Sequence, residues 1–209
     1  MNFDLNYLLV LLLFSFLGYL IGSVPFGLIL TKMSGLGDIR NIGSGNIGAT
    51  NVLRTGNKKI ALFTLILDGS KGALALFLLT SLLTKASIFN IYNFELIMSV
   101  VAICSVLGHC FPIWLNFKGG KGVATGFGTI LFINLLVGIT ALLIWFLIAK
   151  LFKISSMSAL VSYFLIPFLM AFNSVENYFI IASVFISSIC WFQHRENIKR
   201  LLNRTEPKI

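Results

Sequence analysis

Carboxylates are scarce in this sequence: seven Asp and Glu stand among 209 residues, against 16 Lys and Arg. Charged residues of both signs make up 11% of the chain, about half the usual share of a soluble globular domain. With 57% hydrophobic residues beside them, an ordinary water-soluble fold is excluded. The three cysteines, Cys104, Cys110 and Cys190, are an odd set in or beside apolar stretches. They form neither a disulfide framework nor a zinc spacing, and read as small packing residues. Two histidines and no acidic cluster leave no metal set in view, so neither metal nor cofactor is expected. No basic groove interleaved with aromatics is present, so the net charge of +9 does not indicate a nucleic-acid partner. A basic membrane protein obeying the positive-inside rule accounts for it.

What the chain has in abundance is apolar length. Apolar stretches run roughly over 7–30, 60–83, 94–114, 123–149, 154–172 and 178–192. Several reach the roughly 20 residues that cross a bilayer. Residues 1–6 carry no Lys or Arg, unlike the start of a cleaved signal peptide, so the first stretch is expected to be a retained span. Pro25, Pro112 and Pro167 fall inside apolar stretches, where they kink or end helices. The expectation is an all-α integral membrane protein with residues 1–209 forming a single polytopic domain.

The cations lie in four segments. Residues 31–59 hold Lys32, Arg40, Arg54, Lys58 and Lys59; Lys118 and Lys121 follow, then Lys150 and Lys153. The tail carries Arg195, Lys199, Arg200, Arg204 and Lys208. The N-terminus, 84–93 and 173–177 contribute only Lys85. Putting all four basic segments on the cytoplasmic face requires the stretch 123–149 to cross twice, or to enter and return. Its length agrees, since 27 residues would rise about 40 Å against a hydrocarbon core of about 30 Å. Seven transmembrane segments are therefore predicted, with two short or re-entrant ones in 123–149 turning near 134–138. The N-terminus lies outside and the C-terminus in the cytoplasm. The alternative is one long tilted helix and six segments.

The polar clusters collect on that same face. The first is GSGNIGATNVLR at 43–54. Residues 43–48 match a dinucleotide-binding fingerprint and nearly match a P-loop, but both need a strand–helix setting that membrane flanks do not provide. The shared physics remains: bare backbone N–H groups at Gly43, Gly45 and Gly48 cradle an oxyanion, with donors from Ser44, Asn46, Thr50 and Asn51. Arg54 adds a bidentate clamp. A tight capping loop with Thr50 as the cap is the plain alternative. The second cluster sets Lys118 and Lys121 around Gly119 and Gly120, and reads as a further phosphate-binding turn or simply a basic one. The third is HRENIKR at 194–200, where His194 and Asn197 share one side of a helix. His194 is the stronger general-base candidate, while His109 suits a structural hydrogen bond. Asp68 and Lys71, three apart within an apolar stretch, suit a structural ion pair. Ser155, Ser156 and Ser158 follow Lys153; they line a cavity or bond to neighbouring helix backbone.

In this order the motifs resemble the PlsY family of acyl-phosphate-dependent glycerol-3-phosphate acyltransferases. The resemblance spans about 18–206 and rests on GSGNIGATNVLR, LDGSKG at 67–72, GHCFP at 108–112, FKGGKGVATGFG at 117–128 and HRENIKRLL at 194–202. It implies a seven-span protein of the bacterial inner membrane with its active site on the cytoplasmic face. The implied reaction moves an acyl group from acyl phosphate to the 1-hydroxyl of glycerol 3-phosphate, giving lysophosphatidate and phosphate. Acyl phosphate, glycerol 3-phosphate and membrane lipid are the implied partners. Matching positions carry over as Ser44, Arg54, Lys121, His194 and Asn197. The serine of the sixth segment maps to Ser158 or Ser155, because SSMS at 155–158 departs from the family pattern.

That chemistry fits the residues. Two phosphates must be held together despite repulsion, and phosphate is already a good leaving group. Direct attack without an acyl-enzyme is expected, with His194 or a substrate phosphate taking the hydroxyl proton. Ser44 more plausibly binds than attacks. The HxxxxD pair of other glycerolipid acyltransferases is absent: the fifth residue after His109 is Trp114, and after His194 it is Lys199. Asp4, Asp38 and Asp68 do not supply the aspartate run of CDP-alcohol phosphotransferases. The rival from another class is a phosphate or organophosphate transporter, whose polar half-loops would belong nearer the membrane midplane.

Overall fold

Apolar residues on all sides, rather than on one stripe, make most of these helices suited to lipid or to a bundle interior. A computed structural model describes residues 5–85 and 93–209. Asp4 and residues 86–92 of the sparsely charged segment 84–93 lie outside the described residues. The described residues contain no strand. In chain order the helices are α1 (Leu5–Gly22), α2 (Phe26–Met33), α3 (Ala49–Leu53), α4 (Lys58–Lys85) and α5 (Phe94–Cys110). They continue with α6 (Val123–Ile133), α7 (Leu135–Phe152), α8 (Ser155–Phe172), α9 (Asn177–Gln193) and α10 (Arg195–Leu202).

Among the described residues, five segments are long and apolar enough to cross a bilayer: Leu5–Met33, Lys58–Lys85, Phe94–Leu115, Leu135–Phe152 and Ser155–Phe172. Two apolar helices, α6 and α9, are shorter. Leu12, Phe16, Phe63, Phe77, Phe146 and Phe168 are each more than half exposed. An apolar outer surface of that extent matches hydrocarbon, not water.

Two prolines stand at helix ends: Pro25 divides α1 from α2, and Pro112 follows the end of α5, whereas Pro167 lies inside α8. The stretch 123–149 is broken into two helices at Asn134. That residue leaves helical geometry (φ −147°, ψ 106°), and its side chain accepts a hydrogen bond from the Val137 backbone N–H at 3.0 Å, capping α7. The 11 residues of α6 rise only about 16 Å, half a hydrocarbon core. The chain then doubles back, with Gly138 of α7 against Leu131 of α6.

Small residues let the helices that carry the site approach closely. A methyl group on Gly128 of α6 would collide with the Gly69 carbonyl of α4, and one on Gly22 of α1 with the Ser105 carbonyl of α5. Thr125 of α6 donates to the Asp68 carbonyl at 2.8 Å in the same α4 crossing. The main core includes Leu76, Ile97, Val101, Ile130, Tyr163 and Ile186, each at most 1% exposed. A smaller cluster of Leu28, Ile39, Ile47, Val52 and Ala61 lies under the first polar loop and pins it to α2–α4.

Candidate active site

The loop between α2 and α3 is organised by one buried amide. Asn51 is 1% exposed; its Nδ2 donates to the carbonyls of Ile39 (3.0 Å), Ile42 (2.9 Å) and Asn46 (2.8 Å). Its Oδ1 accepts from the Ser44 backbone N–H (3.0 Å) and from Arg54 Nη1 (3.3 Å). Gly43 and Gly45 take left-handed backbone angles (φ 54° and 68°) that let the loop wrap this side chain. The expectation for Asn51 was a phosphate donor; its hydrogen bonds are instead made inside the loop. The Ser44 amide is likewise occupied, leaving its hydroxyl as the group free to meet a ligand.

Three distant parts of the chain then meet around a cavity of about 740 Å³. The first loop lines it with Gly43, Ser44, Asn46, Gly48, Thr50, Asn51 and Arg54; the second contributes Lys121, and the third His194 and Asn197. Ser155, Ser156, Arg200 and Glu206 add to this polar wall, as do Lys58, Asp68 and His109. Lys121 Nζ donates to Asn197 Oδ1 at 2.6 Å. Asn197 Nδ2 donates to Glu206, which also accepts from Ser156 Oγ (2.7 Å) and from Arg200 Nε (2.7 Å). Thr50 and Ser155 join their hydroxyls at 3.2 Å, tying α3 to the start of α8.

Other predicted residues are placed differently, although Asp68 and His109 also line the cavity. Gly45, Lys118, Gly119, Gly120 and Ser158 do not line the cavity. Lys118 is exposed. The Gly119 and Gly120 amides donate to the carbonyls of Cys110 and His109, both at 3.0 Å, so they are not bare anion donors. Ser158 is fully buried and its hydroxyl bonds to the Ile154 carbonyl at 2.9 Å, one turn back in its own helix. Ser156, between the two serines singled out by the resemblance, is the one bonded into the polar network. Asp68 and Lys71 are ion-paired at 2.9 Å, with Lys71 Nζ also donating to the Val24 carbonyl at 2.9 Å, where α1 breaks.

Sequence reasoning missed Glu206 and Arg200 as cavity residues. Both lie in what reads as a plain basic tail. The structure turns that tail back at Arg204 (φ 57°) and ties its last residue, Ile209, to the Lys153 carbonyl at 2.8 Å. The isolated carboxylate in a basic tail was the available signal.

Burial and cation crowding set the ionisation of the polar wall. Burial pushes the Lys121 ammonium down to about 8, with Arg200 and Arg54 adding to the fall and Glu206 opposing it. Burial pushes the His194 imidazole down to about 4, against the opposing hydrogen bond that it donates to the Cys190 carbonyl. That carbonyl, 2.7 Å from Nδ1, only accepts, so Nδ1 carries the proton of the neutral ring and Nε2 keeps a lone pair. For Glu206, burial pushes the carboxyl up, but hydrogen bonds from Ser156, Asn197 and Arg200 outweigh it and hold the group below the usual range. Among the described residues no cluster of three or more His, Cys, Asp or Glu is assembled.

The cavity has a second, apolar half. Leu62 and Leu65 of α4, Val123 and Phe127 of α6, and Leu142 and Trp145 of α7 continue it along the helices. Leu62 and Leu65 are about half exposed, so the groove opens sideways onto the outer surface of the bundle.

An all-helical membrane protein with a cationic, hydroxyl-rich pocket running into an apolar groove is built for an amphiphile with an anionic head. The family model of the glycerol-3-phosphate acyltransferases matches residues 12–204, and the chain belongs to that family. A glycerol-3-phosphate acyltransferase of Gluconobacter oxydans is 48% identical over 95% of this chain and 93% of its own. Another, of Rhodospirillum rubrum, is 48% identical over 92% of this chain and 88% of its own. Among solved structures, the crystal structure of PlsY (YgiH), an integral membrane glycerol 3-phosphate acyltransferase, in its glycerol 3-phosphate form, superposes with a TM-score of 0.85. Its identity is 31%, over 95% of each chain. The lysophosphatidic acid form of PlsY superposes with a TM-score of 0.83 at 30% identity.

Proposed function

We propose that this protein transfers an acyl group from an acyl phosphate to the 1-hydroxyl of glycerol 3-phosphate, releasing lysophosphatidate and phosphate. The observation that carries the reading is the continuity of one cavity from the polar wall of Arg54, Lys121 and His194 to the apolar groove of α4, α6 and α7. One end suits phosphate heads and the other a fatty chain. The glycerol 3-phosphate and lysophosphatidic acid forms of the related structure support the acceptor and the product.

On this reading Arg54 and Lys121 neutralise phosphate oxygens, Ser44 donates to one of them, and Asn197 holds Lys121 in place. The glycerol 1-oxygen bonds to the acyl carbon as the bond from that carbon to the phosphate oxygen breaks. Phosphate leaves with the electron pair, and the hydroxyl proton passes to His194 Nε2 or to a substrate phosphate oxygen. Fixing both reactants in one pocket supplies much of the rate, because orientation alone lowers such barriers by several kcal/mol. Ser44 acts as a ligand and no acyl-enzyme forms.

The same proposal includes a single seven-span domain in a bacterial inner membrane, with the N-terminus outside and the site facing the cytoplasm. The supporting features are the division of 123–149 at Asn134 and the gathering of cations at one end of the bundle. Purified protein supplied with glycerol 3-phosphate and either palmitoyl phosphate or palmitoyl-CoA tests the chemistry. Turnover with the phosphate and none with the thioester is expected; the reverse overturns the donor assignment. Accessibility of single cysteines placed at 38 and 176 to a membrane-impermeant reagent, in intact cells, tests the orientation. Labelling is expected at 176 alone.

A further inference from the structure

The LDGSKG and GHCFP motifs are given no part in the chemistry above, yet they meet at the edge of the same cavity, which Asp68 and His109 both line. His109 lies in the last turn of α5 and is 4% exposed. Its Nδ1 makes no hydrogen bond and lies 3.7 Å from Asp68 Oδ1. Asp68 is held by Lys71, which is anchored on the Val24 carbonyl at the α1–α2 break. On its other edge the imidazole meets Gly120: a methyl group there would collide with Nε2, and one on Gly119 would strike the His109 carbonyl. Both glycine amides bond to the last carbonyls of α5, groups that a helix end leaves open. The next residue is Lys121.

We propose that His109 is a positioning residue, the seat on which the Gly119–Gly120 turn rests so that Lys121 is held inside the cavity. The two glycines are then required for close approach to α5 and not as anion donors. The intramembrane pair Asp68–Lys71 keeps the imidazole from shifting. A line of contacts thus joins the α1–α2 break to Lys71, Asp68, His109, Gly120, Lys121 and finally Asn197. The inference rests on the reading of Lys121 as a phosphate-binding group, and its test is built to separate the two.

Removing the seat in His109→Ala lets the turn relax toward water. The kcat/KM for glycerol 3-phosphate then falls about ten- to a hundredfold, the scale of a small misplacement of a positioned group. In the same variant, without substrate, the Lys121 titration moves up from about 8 toward that of an ordinary lysine. NMR of 15N-labelled lysine side chains reads this. The charged groups near Lys121 are Arg54, Arg200 and Glu206, none of which the substitution touches. Gly120→Ala, whose methyl group meets the imidazole, loses activity alone. The double variant His109→Ala with Gly120→Ala recovers part of that loss, because the methyl group gains the vacated space. His109→Gln, with a nitrogen near the Nε2 position, retains more activity than His109→Ala. An unmoved Lys121 titration in folded His109→Ala overturns the proposal, as does a double variant no better than Gly120→Ala. If His109→Ala does not fold, Gly120→Ala decides the same question: its Lys121 titration must move up, and an unmoved one overturns the proposal. Lys121→Met addresses the underlying reading: full turnover there removes Lys121 from catalysis, while the titration and the paired substitutions still judge the seat.

Discussion

Replacing Asn51 with aspartate separates a loop organiser from a phosphate ligand, since the change swaps one amide nitrogen for oxygen. The acceptor half survives, so Ser44 N–H and Arg54 keep their partner. The donor half is lost, leaving the carbonyls of Ile39, Ile42 and Asn46 facing an oxygen. Ile39 and Ile42 still accept a backbone N–H each, from Ile42 and Gly45, so the Asn46 carbonyl alone is left without a donor. A buried acceptor left unmatched costs about 1–3 kcal/mol, which sets the local penalty before relaxation. The loop has its own small apolar cluster and touches the main core little, so the cost falls on local opening and not on the whole fold. At 1.4 kcal/mol per factor of ten, that range speeds amide exchange across 39–54 by roughly 5- to 140-fold. Hydrogen–deuterium exchange by mass spectrometry, with α8 as the internal reference, is the assay. Unchanged exchange in the loop beside a large rise in KM for glycerol 3-phosphate would refute the organiser role and return Asn51 to the substrate.

The remaining predictions concern ionisation, the tail and the serines. Lys121 binds phosphate as a cation, and its cationic fraction falls as pH rises through about 8, so kcat/KM declines on a basic limb near that value. Lys121→Arg, which stays charged, removes that limb whatever its effect on rate. His194, pushed down to about 4, is neutral through the physiological range, so its protonation cuts activity only near pH 4. Glu206→Gln loses the charge on three hydrogen bonds and lowers stability by about 1–3 kcal/mol at pH 7, read as a lower Tm. Because the folded carboxyl is held low, its contribution exists above the usual glutamate range and fades as pH falls through the lowered value; the Tm gap must narrow in acid. Ser156→Ala reduces turnover, whereas Ser158→Ala, which removes only a bond to its own helix, leaves it within about twofold. Equal losses in the two serine variants would contradict the placement of Ser156.

Much of the fold was legible because a membrane reduces the problem to lengths and charges. A 27-residue apolar run is too long to stand upright, and the Asn inside it is a ready cap; the helix break at Asn134 follows. Within the site, the motifs named the right neighbourhood but not the work of each residue. Glycine reads the same whether it bares an amide to an anion or lets two backbones touch. Only the partner decides, and for Gly119 and Gly120 the partner is α5. Asn51 was opaque for a similar reason: a polar side chain in a polar loop declares nothing about whether it faces inward. The choice among Ser155, Ser156 and Ser158 turned on helix phase at a start that the run after Lys153 leaves undefined. Glu206 reaches the site only because the tail reverses at Arg204, a non-glycine residue with positive φ that no motif marks.

The charge in the cavity bears on how the proposed reaction would turn over. Arg54, Lys58, Lys121 and Arg200 line it, while Glu206 sits among them as a resident anion. Asp68 is matched by Lys71 and adds little net charge. Two substrate phosphates that are both near their dianionic form bring more negative charge than this set neutralises. Their repulsion is highest while both are bound and falls once free phosphate departs. Glu206 increases that strain and weakens anion binding, yet it also keeps Ser156, Asn197 and Arg200 in place when the pocket is empty. Substituting Glu206 with glutamine would therefore lower the KM for glycerol 3-phosphate and slow phosphate release, seen as stronger product inhibition by inorganic phosphate. A higher KM with unchanged product inhibition would mean that the carboxylate only braces the wall.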